Sequence, residues 1–73
     1  MRRCIITTVT STLAMKVKRV LAANGIGAEV IRLPSWLNTS GCSFGAEINC
    51  ADAEAAKRVL YVSGTSYGKF IVI

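Results

Sequence analysis

Apolar residues along this chain switch between continuous, alternating and three-to-four spacing, and each switch marks an element. Cys4 to Val9 is rich in β-branched residues and reads as a first strand. Thr10, Ser11 and Thr12 follow, any of which can cap a helix by accepting a backbone N–H. From Leu13 the spacing is helical: Leu13, Val17, Val20 and Leu21 share one face, with Met15, Lys16, Lys18 and Arg19 off its centre. Asn24-Gly25 ends that helix, glycine suiting the left-handed position beyond a helix end. Ala28 to Leu33 is a second strand, closed by Pro34, which cannot donate to a sheet ladder. After a polar loop, Phe44 to Asn49 alternates, with Phe44, Ala46 and Ile48 on one side and Glu47 on the other. Asn49 or Asp52 then caps a second helix. Its inward face is predicted to be Ala56, Val59, Leu60 and Ser63, with Ala55 beside them. Gly64 stops it, and Lys69 to Ile73 is the last strand.

The order is β-α-β-β-α-β, which predicts one α+β domain over residues 1–73. The natural architecture is a ferredoxin-like sandwich, two helices on one face of a four-stranded antiparallel sheet. Right-handed crossovers leave a gap that the third strand fills, giving the order 4-1-3-2. A swapped or mixed sheet is the alternative use of the same elements. In the 4-1-3-2 arrangement the start of the first strand lies beside the end of the third. Cys4 and Cys50 are therefore expected to be neighbours, both reduced and inert.

Composition narrows the class. The chain has 73 residues, 52% of them hydrophobic and 18% charged, which excludes disorder. So apolar a small chain suggests a face that pairs with another, and a homodimer through the open sheet face or an edge strand is expected. No apolar run reaches the length of a membrane span, and Met1 to Val9 breaks into threonines without a cleavage site, so the expected compartment is the cytoplasm. The net charge is +5, but Lys16, Lys18 and Arg19 fall on one helix and Lys57 and Arg58 on the other. Solvated helix faces account for that pattern, and the aromatics are too scattered for an RNA-binding sheet, so nucleic acid is not the expected partner.

Three cysteines, no histidine and no C-x-x-C leave zinc and paired-thiol redox motifs unsupported, and no metal or cofactor is expected. An odd count does not make a disulfide framework, and a cytoplasmic setting keeps thiols reduced. Attention falls on Pro34 to Gly45, which holds the only proline, the only tryptophan and Cys42. The predicted topology hangs this loop at the sheet edge where the first helix begins. Cys42 would then stand near the positive end of that helix, among the hydroxyls of Thr10, Ser11, Thr12, Thr39, Ser40 and Ser43. A helix N-terminus favours thiolate, the reactive species, so Cys42 is expected to be the most reactive of the three. Without histidine there is no Cys–His hydrolase. The plain alternative is a small buried hydrophobe, which suits Cys4 and Cys50 at strand ends better than Cys42 between Gly41 and Ser43. Trp36 and Leu37 are read as a lid over the sheet edge or as a partner anchor.

Thr10-Ser11-Thr12, Ala14, Gly25-Ile26, Pro34 and the run Asn38-Thr39-Ser40-Gly41-Cys42 give the chain, over nearly its whole length, a resemblance to a family of small bacterial selenium/sulfur carrier-like proteins. The chain departs from the pattern at Ser35, where the family has arginine, and at Ser43, where it has glycine; its run from proline to cysteine is one residue longer. The resemblance implies that Cys42 is the family cysteine, accepting sulfur or selenium and handing it to a partner enzyme, with Ser40, Gly41 and Ser43 as its supporting loop. On that view the chain is a carrier and not an enzyme. The competing reading is an interaction or regulatory module, since this fold does not set a function. A metal chaperone would want two cysteines after the first strand, and an acylphosphatase a phosphate-cradling loop; Thr7 to Thr12 supplies neither.

Overall fold

The computed structural model describes residues 3–36 and 42–73. The elements are β1 (Cys4–Thr8), α1 (Ser11–Ala23), β2 (Ala28–Arg32), β3 (Phe44–Ile48), a 3₁₀ turn (Cys50–Asp52), α2 (Ala53–Ser63) and β4 (Phe70–Val72). Of the three candidate caps, Thr10 is the one used. Its backbone is extended and its Oγ1 accepts the Leu13 N–H at 3.1 Å, an interaction worth about 1 kcal/mol. The inward face of α1 centres on Ala14, Val17 and Leu21, with Leu13 and Val20 only half-buried. The capping question before α2 has a divided answer. Asn49 accepts from the Ala51 N–H and caps the 3₁₀ turn, while Asp52 makes no side-chain cap bond to α2. Ala56 and Leu60 are the buried residues of α2, Val59 is half-buried, and Ser63, expected inward, is exposed. Gly64 ends the helix at φ 69°, a left-handed conformation that side chains resist.

The sheet is four-stranded and antiparallel, ordered β2-β3-β1-β4; counted from the opposite edge this is 4-1-3-2. β1 pairs on both sides, so Cys4 stands opposite Ile48 and Val72, and Ile6 opposite Ala46 and Phe70. The pleat sends alternate residues to opposite faces. Cys4, Ile6, Ala46 and Ile48 join Val17, Leu21, Ala56 and Leu60 in the main core, so both helices cover one face. Ile5 and Thr7 point to the other face, yet they are as buried as the core. Glu29 and Glu47 oppose each other on that face, a like-charge pairing that destabilises a sheet. Arg3 offsets it with a two-pronged contact to Glu47, both hydrogen bonds 2.8 Å. The guanidinium holds the Glu47 carboxyl below its ordinary pKa, and the carboxylate raises that of Arg3.

Cys4 and Cys50 are neighbours, with Cα atoms 5.2 Å apart. The expectation that both are reduced is corrected: they form a disulfide. Topology is the cause. Cys4 pairs with Ile48, and the chain turns two residues later, bringing Cys50 back over the start of β1. The bond spans a sequence separation of 46, for which chain entropy gives about 4 kcal/mol of stabilisation. A core of this size supplies only about 3–5 kcal/mol. The reduced protein should therefore be less stable by about 2–4 kcal/mol. Urea denaturation with and without a reductant measures the difference, and superimposable curves would remove the disulfide from the stability account.

Candidate functional site

Cys42 is the free cysteine among the described residues. It lies immediately before β3, where the Leu33 N–H donates to the Ser43 carbonyl at 2.9 Å and draws the two ends of the loop together. A carrier's thiol is expected to stand exposed, and this one does not. Cys42 is 6% exposed and packs with Ile5 and Leu33, with Ile31 and Ile73 against the same cluster. That cluster occupies the sheet face opposite the helices.

The strap leading into β4 closes over the same place. Gly68 donates its N–H to the Thr7 carbonyl at 2.7 Å. The Lys69 N–H donates to Thr7 Oγ1 at 2.7 Å, and that hydroxyl in turn donates to the Lys69 carbonyl at 3.3 Å. A Cβ on Gly68 would stand 2.7 Å from Cys42 Sγ, 2.7 Å from Thr7 Oγ1 and 3.2 Å from the Thr7 carbonyl oxygen. Real Cβ contacts essentially never reach the first two distances, so the absence of a side chain at Gly68 is what lets sulfur, hydroxyl and strap meet. Thr7 and Gly68 went unseen in the sequence as site residues. The signal was present in the strand order, which lays the entry to the last strand along the end of the first.

The other anticipated residues are more dispersed. Thr10 is committed to its cap, engaging the Leu13 N–H through Oγ1 and the Ala14 N–H through its carbonyl. Those two first-turn amides donate to the helix's own cap and not to a thiolate. Ser11 and Thr12 are exposed at the start of α1. Ser43 is half-buried and holds the loop through its carbonyl. Trp36 is 70% exposed, so its indole does not pack as a lid. Leu37, Thr39, Ser40 and Gly41 lie outside the described residues. Among the described residues no three His, Cys, Asp or Glu side chains are grouped to hold a metal, and no helix is long and apolar enough to cross a membrane.

A family model described as putative Se/S carrier protein-like matches residues 3–71. The chain belongs to that family. The match runs from β1 into β4 and so includes Cys42, Thr7 and Gly68 together. No curated protein and no solved structure matches the chain.

The seat of Cys42 can be probed at Gly68. Gly68→Ala should displace the Cys42 sulfur or lift the strap, costing about 1–3 kcal/mol as an overpacked contact does. Alkylation of Cys42 in the oxidised protein should then run faster than in the parent. Unchanged alkylation and an unchanged urea midpoint would show that the close approach at Gly68 is not real.

Proposed function

We propose that this chain carries sulfur or selenium on Cys42, within a fold we read as ferredoxin-like. The observation that supports it most is a free thiol held out of solvent at the closed end of a loop, on a body with no other unpaired cysteine among the described residues. A persulfide or selenol in transit is open to attack by any thiol that reaches it, so shelter serves a carrier. The family match supplies the cargo class.

Loading balances without a metal or an external base. The Cys42 thiolate attacks the outer sulfur of a donor persulfide and a new S–S bond forms at Sγ. The donor's own S–S bond breaks, and its thiolate leaves and takes up the proton. Selenium follows the same path as the outer atom of a selenosulfide. Gly68 leaves no space for an added atom on its side of Sγ, so loading requires the strap or the loop to give. A partner enzyme that donates or receives the atom would act by making that opening, with Ser40, Gly41 and Ser43, the sequence neighbours of Cys42, as supporting residues and Trp36 and Leu37 as docking residues.

The test is intact mass after exposure to a small-molecule persulfide, with the modified residue mapped by digestion. One added sulfur on Cys42, removed by dithiol and absent from Cys42→Ser, is expected. A Cys42 that takes no sulfur while the folded protein survives would end the carrier reading.

One observation favours an interaction module instead. Tyr61 and Val62 on α2 are 87% and 78% exposed, and a cavity of about 300 Å³ lined by Asn24, Arg58, Val59, Val62 and Ser63 opens beside them. Exposed aromatic and aliphatic side chains beside a concavity are common at protein contacts. On this reading the chain pairs with itself through the helical side. Light scattering at high micromolar concentration should show a dimer, and a monomer there would set the reading aside.

A further inference from the structure

We propose that Cys4 and Cys50 are a second sulfur site, a dithiol that reduces a persulfide and releases sulfide. The choice of persulfide as substrate rests on the carrier reading of Cys42; the site itself rests on the geometry of the pair. Two facts set the roles. Cys4 is 2% exposed and is held in β1 between Ile48 and Val72, so its sulfur is fixed and closed to solvent. Cys50 is half-buried at the edge of the same core and opens a three-residue 3₁₀ turn, so it is the more accessible residue of the pair. Their Cα separation of 5.2 Å lies within the range a disulfide spans without backbone movement. A reachable thiol beside a fixed, sheltered one is the division needed for two successive exchanges, one thiol attacking and the other resolving.

In the first step the Cys50 thiolate attacks the outer sulfur of a persulfide, R–S–S–H. A bond forms between Cys50 Sγ and that sulfur, the donor's S–S bond breaks, and the thiolate RS⁻ leaves and is protonated. In the second step the Cys4 thiolate attacks Cys50 Sγ, forming the Cys4–Cys50 bond and expelling hydrosulfide. The dithiol gives up two electrons and two protons, and the persulfide takes them as R–S–H and H₂S. The persulfide is the only oxidant required, and the protein product is the bonded pair of the structure. Cys42 cannot resolve this intermediate. It sits with Ile5 and Leu33 on the opposite sheet face, beside the Thr7 end of β1 and not the Cys4 end.

The experiment uses the full chain carrying Cys42→Ser, reduced, freed of reductant and mixed with glutathione persulfide. Sulfide should appear, up to one per chain, as the protein loses two hydrogens and gains the Cys4–Cys50 link. Adding Cys4→Ser should leave the extra sulfur on Cys50 and slow sulfide release at least about tenfold, since the resolving thiol is no longer held in place. Adding Cys50→Ser should abolish both. Circular dichroism confirms the fold of each variant. Rapid alkylation of the Cys4-containing protein should also trap the added sulfur on Cys50, a measurement that needs no further substitution. Sulfide release that survives Cys50→Ser, or trapped sulfur on Cys4, would overturn the proposal. Because Cys42 is absent throughout, the outcome is independent of whether Cys42 is a carrier.

Discussion

The central strand is buried on both faces although helices cover only one. Cys4 and Ile6 meet the helices through the ordinary logic of a sandwich, but Ile5 and Thr7 face the side that no helix reaches. Burying an isoleucine stabilises by about 1.5–3 kcal/mol, too much for so small a chain to forgo. The cover is assembled from what lies nearby: Ile31 and Leu33 at the β2 edge, Ile73 at the chain end, and Cys42 at the mouth of the loop. The thiol's shelter is therefore first a packing requirement of β1. Any chemistry at Cys42 inherits an apolar seat that the strand demands for its own reasons.

Much of this was legible. The strands announced themselves by β-branched runs and alternation, the helices by their caps and stops, and the neighbourhood of Cys4 and Cys50 by strand order alone. Their oxidation was not legible, because an odd cysteine count and an assumed reducing compartment argued the other way. Cys42 was placed at the correct edge of the sheet but with the wrong surroundings. Counting back by twos from Ile48, Ala46 and Phe44 puts position 42 on the helix face, whereas it packs with Ile5 on the other. Side-chain parity holds only along a paired strand, and the chain leaves the ladder before Cys42. The inward face of α1 was misjudged for a simpler reason. Ala14 is small, so a search for large apolar residues passed over the one buried most completely in the first turn.

Thr7 ties the scaffold to the site more closely than any other residue. Its amide and carbonyl extend the pairing with the β4 side, to Lys69 and Gly68, and its hydroxyl both receives and gives a hydrogen bond to Lys69. β4 has only three residues in the ladder, so this clip is a large part of what holds the last strand. Local openings in a protein begin where few bonds must break. The segment nearest the Cys42 sulfur is such a place, and exposure of the thiol is tied to the departure of a strand end.

Three cysteines in one small chain invite scrambling, in which a free thiol attacks a neighbouring disulfide and shuffles the links. The sheet works here as a partition. Cys4 and Cys50 lie among the helix-side core, and Cys42 lies behind the strands, at the other end of β1. Exchange needs the attacking sulfur in line with the bond it breaks, and a layer of backbone stands across that line. The pleat's alternation, which sorts neighbouring side chains to opposite faces, thereby keeps the free thiol and the disulfide of one small body out of each other's reach.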